Sequence, residues 1–109
     1  MPYLILFGWF MAGVFAANAI PHLVAGLMGR AFQSPFASPP GKGLSSSRTN
    51  VLWGFANVAV AWLLLSQAGQ FQWRQPLHAG AVMLGAVLIS LRLASHFGAL
   101  HGANEPGRK

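Results

Sequence analysis

The chain has 109 residues, of which 54% are hydrophobic and only 7% are charged. In ordinary soluble domains about a quarter of the residues are charged. This composition therefore excludes a typical soluble domain and indicates a membrane protein. The formal net charge of +6 does not predict a nucleic-acid partner, because the basic residues flank long apolar runs and act there as topology signals. The lipid bilayer is the first partner that the sequence predicts.

Three apolar runs account for the composition, at about residues 3–29, 51–69 and 77–100. Each is close to the roughly 20 residues that a helix needs to span a bilayer. Lipid offers the backbone no hydrogen-bond partners, and the runs lack the alternation of barrel strands, so the spans are predicted as helices. The predicted fold is all-α, a single transmembrane domain over residues 1–109 with three transmembrane helices in a small helical bundle.

The first span contains Pro21, which denies the helix one backbone hydrogen bond and predicts a kink. Asn18 lies one turn earlier, where its side chain is expected to satisfy the freed carbonyls. Residues 30–50 are rich in proline, glycine and serine, which predicts a loop of turns and extended pieces. Thr49 or Asn50 is the expected N-cap of the second span.

The second connection is short. Gly69 is a suitable stop for the second helix, and Pro76 fits the first turn of the third. Residues 70–75 between them predict that the second and third spans are antiparallel neighbours. Residues 101–109 form the predicted tail.

The basic residues predict an orientation. The first loop holds Arg30, Lys42 and Arg48, whereas the second loop holds Arg74 alone. With the two basic residues that end the tail, the positive-inside bias places the amino terminus outside and the first loop and carboxyl tail in the cytoplasm. The three basic residues of the first loop are also expected to contact anionic lipid headgroups.

Polar residues of the three spans are predicted to meet inside the bundle. Helical spacing groups them with the small residues on one face of each helix. At ~1.5 Å of rise per residue, Asn18, Asn57 and Arg92 come within about 5 Å of the midplane, and His22 and His96 lie about 9–11 Å toward the cytoplasm. An arginine-asparagine layer above a histidine layer is the predicted site.

Arg92 allows two interpretations. A guanidinium in hydrocarbon costs about 2.5–3.5 kcal/mol on insertion scales, which favours a ligand or ion site that uses the charge. Alternatively, the side chain snorkels toward the cytoplasm or is capped by asparagine side chains and carbonyls. No carboxylate lies in any span, so the partner is a neutral acceptor, an anionic ligand, a lipid headgroup or another protein.

His22 and His96 also allow two interpretations. Neutral imidazoles from two helices are a usual way to hold haem iron, which predicts a bis-histidine haem site. The alternative is interhelical hydrogen bonding near the membrane interface. Zinc would need more ligands than these helices offer, and the chain has no cysteine, so no metal site is predicted. Haem is the one cofactor that the sequence leaves open.

Three stretches of the chain resemble a group of small bacterial inner-membrane proteins. They are the Asn-x-x-Pro-His kink at residues 18–22, the proline, glycine and serine-rich loop at residues 34–46, and the start of the second span at residues 50–54. The resemblance implies a multi-pass protein of the bacterial inner membrane. It carries no activity, and so no functional residue follows from it.

Three functions are compatible with these features, and no catalytic residue is predicted. The preferred one is a non-enzymatic subunit that packs with copies of itself or within a larger membrane complex through its small-residue faces and polar layer. The second is an oligomeric transporter or channel subunit in which Asn18, Asn57 and Arg92 line a route. The third is a haem-binding electron carrier that uses His22 and His96.

Overall fold

The computed structural model describes residues 2–102. Three helices and one pair of short antiparallel strands make up this part of the chain. The predicted tail signals Arg108 and Lys109 lie outside the described residues. In chain order the elements are α1 (Pro2–Leu27), β1 (Phe32–Gln33), β2 (Leu44–Ser45), α2 (Ser47–Gln67) and α3 (Pro76–His101).

The all-helical prediction is confirmed. All three helices are long and apolar enough to cross a membrane, because each coincides with one of the three apolar runs of the sequence. Helix α1 continues through Pro21, which lies inside its bounds. Helix α3 begins at Pro76, as predicted. The left-handed backbone of Gly69, with φ of 64°, follows the end of α2 and confirms the predicted stop.

Helix α2 begins earlier than its apolar run predicts. Its N-cap is Ser46, whose hydroxyl oxygen accepts a hydrogen bond of 3.2 Å from the backbone N–H of Thr49. The expectation that Thr49 or Asn50 caps this helix is therefore wrong. Serine is as good an N-cap as asparagine, and the added polar turn keeps the start of α2 outside the apolar run.

Helix α1 lies between the other two helices. Both α2 and α3 pack along α1, but they have almost no contact with one another, so the prediction that they are direct neighbours is wrong. The connection at residues 68–75 spans up to roughly 27 Å when extended. This length is enough to lead the chain across the end of α1. A connection of this length therefore does not require that α2 and α3 pack against each other.

Glycines permit both close approaches to α1. Gly54 of α2 lies against Leu23, and Gly85 of α3 lies against the carbonyl of Phe10. On α1 itself, Gly13 lies against the backbone of Val82. A side chain at any of these positions would collide with the facing helix. The small-residue faces that were predicted as contacts between protein copies are therefore occupied within one chain.

The first loop folds back on the end of the bundle. Strands β1 and β2 pair in antiparallel register, with Phe32 opposite Ser45 and Gln33 opposite Leu44. The tip between the strands contains a cis peptide bond before Pro39. Turns and extended pieces were predicted for this segment and are observed. The loop lies where α1 ends, α2 begins and α3 ends, so residues from all three helices can reach it.

Candidate functional site

Asn50 is the central residue of the loop end of the bundle. Its side chain is completely buried, with 0% of its surface exposed. The amide nitrogen Nδ2 lies 3.1 Å from the carbonyl oxygen of Phe32, 3.3 Å from that of Ser45 and 3.0 Å from that of Ser46. Because only the amide nitrogen can donate to carbonyls, these contacts orient the side chain and hold both strands to α2.

His22 completes this arrangement from α1. Its Nδ1 lies 2.7 Å from Oδ1 of Asn50, and 3% of the residue is exposed. An amide oxygen can only accept, so Nδ1 of His22 carries the hydrogen and donates it. Fixing one ring nitrogen as donor orients the imidazole and leaves the lone pair of the neutral ring on Nε2.

Two further histidines hold the loop to α3. Nε2 of His96 lies 2.7 Å from the carbonyl oxygen of Gly41, and Nε2 of His101 lies 3.1 Å from Oε1 of Gln33. Both acceptors are oxygens without a hydrogen, so each Nε2 donates. We call His22, His96 and His101 the histidine anchors, because each connects a helix with the first loop directly or through Asn50.

Aromatic rings fill the space among the histidine anchors. The ring of Phe97 lies 4.7 Å from that of Phe32, measured between centroids. Phe97 also lies 6.4 Å from the ring of His22 and 5.1 Å from that of His96. The indole N–H of Trp53 is buried beside this cluster without an acceptor among the described residues. The cluster is thus a packed aromatic core at the loop end.

The structure brings two of the predicted layer residues together. Nδ2 of Asn18 donates a hydrogen bond of 2.9 Å to Oδ1 of Asn57, and Nδ2 of Asn57 donates one of 2.8 Å to the carbonyl of Trp53. The predicted meeting of the two asparagines is therefore observed. The amide of Asn18 donates to Asn57 of α2 and not to the carbonyls freed by Pro21. The prediction that Asn18 satisfies those carbonyls is therefore wrong.

Arg92 does not join the two asparagines. Its side chain is exposed, and it makes no hydrogen bond or ion pair with any residue of the range 2–102. The physical reason is that the buried residues of α3, Gly85 and Gly98, do not lie on a single face of the helix. A helical wheel superposes all turns, whereas the contact line on a crossing helix moves around the helix. It runs from Gly85 toward Phe97, which turns Arg92 outward.

The two predicted histidines belong to separate hydrogen bonds. His22 is bonded to Asn50, whereas His96 uses its Nε2 on the loop carbonyl of Gly41. The haem hypothesis needs both imidazoles to offer a nitrogen to one iron, and here Phe97 contacts both rings. Residues 2–102 contain no group of three or more His, Cys, Asp or Glu side chains that could hold a metal ion. The geometry favours the hydrogen-bonding interpretation.

The basic residues predicted to contact lipid headgroups lie on the surface of the same end. Arg30, Lys42 and Arg48 are all exposed. None of their side chains takes part in the hydrogen bonds that close the loop. Their proximity to lipid stays a prediction, consistent with the loop lying beside three helix ends.

Sequence reasoning missed three residues of this end. Asn50 was expected to cap a helix, and neither Gln33 nor His101 was selected. Gln33 and His101 form a hydrogen bond with each other, which connects the loop with α3. The sequence did place His101 close to His96, five residues later on the same helix, and that proximity could have identified it. Nothing in the sequence pointed to Gln33.

Comparisons with protein-family models, with curated proteins and with solved structures found no match to this chain. The resemblance to small bacterial inner-membrane proteins therefore stays a prediction. What the chain does has to be inferred from its geometry and chemistry.

Proposed function

We propose that the protein spans a membrane three times and acts as an interaction subunit within a larger membrane complex. Its contact with the partner is the outer face of α3, and Arg92 is the residue that selects the partner. The observation that supports this function is the outward position of Arg92, which is the only lysine, arginine, aspartate or glutamate of α3. The proposed location is the bacterial inner membrane, with the amino terminus outside and the first loop in the cytoplasm.

Helix α3 is the least buried of the three helices. Only Gly85 and Gly98 of this helix are buried. Around Arg92 the outer face carries leucines that are about half or more exposed, with Leu84 at 54%, Leu88 at 49% and Leu91 at 63%. These leucines suit lipid or the apolar surface of another helix equally well. The arginine distinguishes the two, because it favours a polar partner.

The depth of Arg92 supports a partner for its charge. It lies about 5 Å from the middle of α3 at 1.5 Å of rise per residue, where an unpaired guanidinium is unfavourable in lipid. The one acidic residue of the chain, Glu105, lies outside the apolar runs. A second copy would therefore bring no carboxylate to this depth. We infer a different membrane protein that offers a carboxylate.

The test is purification from native membranes in a mild detergent, followed by native mass spectrometry. We expect wild-type protein to appear with a second polypeptide in fixed stoichiometry, and the variant Arg92→Gln to appear without it. Arg74→Gln is the matched control, since Arg74 is also exposed but lies outside the helices. Thermal unfolding should be the same for all three proteins, because Arg92 contributes no contact within residues 2–102.

Two results would contradict the proposal. Wild-type protein that purifies as a single chain or only with copies of itself would show that no partner uses this face. Retention of the partner by Arg92→Gln would show that the arginine does not select it and instead reaches the interface by snorkelling.

A further inference from the structure

Two adjoining cavities lie beside Pro21 of α1. The first, of about 440 Å³, is between α1 and α3, and the second, of about 560 Å³, is between α1 and the first loop. Both are lined by Pro21, Phe32 and His101. The two cavities therefore adjoin at these residues, and we call the pair the amphipathic groove.

The part of the groove between the helices is apolar. It extends from Phe32 and His101 at the loop to Ala17 and Ser90. Most of its lining side chains are small or aliphatic. The lining residues that are not shared with the second cavity are Ala17, Ile20, Ser90, Leu93, Ala94, Phe97 and Gly98.

The part of the groove at the loop carries one guanidinium group. Its lining is mostly apolar, and Arg30, Gln33 and His101 are its polar side chains. Arg30 is exposed and is not used in any hydrogen bond of the loop cluster. No aspartate or glutamate occurs in residues 2–102, so nothing in the described chain neutralises the guanidinium. An anion is the complementary ligand for this end.

The depth of the two parts matches the layers of a bilayer. Helices α1 and α3 have 26 residues each, or about 39 Å at 1.5 Å per residue, which exceeds the roughly 30 Å of the hydrocarbon core. The last turns of these helices therefore extend to headgroup level. His101 belongs to such a turn, and Arg30 follows the end of α1, whereas Ala94 and Ala17 lie at acyl-chain depth.

We propose that the amphipathic groove binds one anionic phospholipid. One acyl chain lies against Ala94 and Leu93 between α1 and α3, and the phosphate lies at Arg30. A soluble anion would leave the apolar part uncovered, and a neutral amphiphile would leave the guanidinium without a counter-charge. This site is on the side of α3 that faces α1, so the proposal is independent of the partner contact at Arg92.

The test is native mass spectrometry of delipidated protein to which phosphatidylglycerol or phosphatidylcholine is added in equal amounts. We expect one phosphatidylglycerol to be retained in preference to phosphatidylcholine. Arg30→Gln should reduce the preference about fivefold, the effect of one basic residue at a membrane surface. Lys42→Gln is the control, because Lys42 is an exposed basic residue of the same loop that does not line the groove. It should leave the preference unchanged.

A second pair of variants tests the apolar part. Ala94 and Ala99 are both exposed on α3, but only Ala94 lines the groove. Ala94→Trp should exclude the acyl chain and abolish retention, whereas Ala99→Trp should not. Circular dichroism should show the same helix content in both, so that a loss of binding is not a loss of fold.

Several outcomes would overturn the proposal. Equal retention of the two lipids would indicate unspecific boundary lipid. An equal effect of Arg30→Gln and Lys42→Gln would indicate general surface charge, and retention by Ala94→Trp would remove the acyl-chain position. Displacement of the lipid by glycerol phosphate at equal concentration would show a site for the free anion, whereas persistence of the lipid supports the proposal.

Discussion

At the scale of single residues, Asn50 joins parts of the chain that are far apart in sequence. One amide group binds carbonyls of β1, β2 and the α2 cap, and its oxygen receives the hydrogen of His22 from α1. Buried polar groups require such partners, because an unpaired group inside a protein keeps its desolvation cost. The loop therefore has a defined position because its polar groups are satisfied by one side chain.

Replacing this residue should loosen the loop. In Asn50→Ala the carbonyl of Phe32 and Nδ1 of His22 lose their partner, and we expect the free energy of unfolding to fall by about 1–3 kcal/mol. Arg48→Ala, at an exposed position on the same turn, should change it by less than about 0.5 kcal/mol. Unfolding of purified protein in mixed micelles, followed by tryptophan fluorescence, gives both values.

The same variant has a local signature. Nitrogen-15 NMR of wild-type protein should show a protected Nδ1–H on His22 and protected Nε2–H groups on His96 and His101. In Asn50→Ala only the His22 signal should lose its protection. An Asn50→Ala protein as stable as wild type, with His22 unchanged, would show that the amide does not hold the loop.

At the scale of elements, α1 determines the arrangement of the bundle. It presents contact surfaces to α2 and α3, and small residues on all three helices bring the backbones together. In a membrane, apolar side chains gain little from leaving lipid, so close packing and interhelical hydrogen bonds are what associate the helices. Here the packing is supplied by glycines, and the hydrogen bonds are those of Asn18 with Asn57 and of His22 with Asn50.

Two glycines of α3 should respond differently to the same substitution. A methyl group at position 85 would meet the carbonyl of Phe10, whereas one at Gly80 would meet nothing within 4 Å. We expect Gly85→Ala to lower the free energy of unfolding by about 1–3 kcal/mol, as overpacking does. Gly80→Ala should have no destabilising effect, because alanine favours a helix more than glycine.

The measurement is again unfolding in mixed micelles, with the size of the folded protein followed by light scattering. The close approach acts within one chain, so the oligomeric state should be the same in wild type and both variants. Equal stability of Gly85→Ala and Gly80→Ala would show that α1 and α3 do not approach closely at this point. A change of size in Gly85→Ala alone would show that the glycine contacts another copy.

At the scale of the whole molecule, the sequence predicted the helices better than their arrangement. Composition and the three apolar runs give the number and type of elements, since lipid restricts a spanning chain to helices. Gly69 and Pro76 mark element ends because their backbone preferences are local. Contacts between helices depend on crossing angles, which no local pattern contains, and the outward turn of Arg92 is the clearest consequence.

The site was predictable to a similar extent. Asn18, Asn57, His22 and His96 are polar residues within apolar runs, and burial of such groups requires partners. The partners of the two histidines were not predictable, because Gly41 comes from the loop and Asn50 from a first turn of α2 that the sequence assigned to the loop. The connection at residues 28–46 can adopt many conformations, and only the folded bundle selects the one that presents these groups.

Membrane topology tests the central claim most directly, namely that three helices cross a bilayer. The chain has no cysteine, so single substitutions give unique labelling sites. Ser38→Cys and Gln70→Cys place one thiol at exposed positions of the first and second connections. Intact bacterial cells expressing each variant are treated with a membrane-impermeant maleimide, with and without permeabilisation of the inner membrane.

We expect Gln70→Cys to be labelled in intact cells and Ser38→Cys to be labelled only after permeabilisation. The reverse pattern would retain the three spans and overturn the proposed orientation. Labelling of both thiols from the same side would show that α2 does not cross the membrane, and would contradict the account of a three-span bundle.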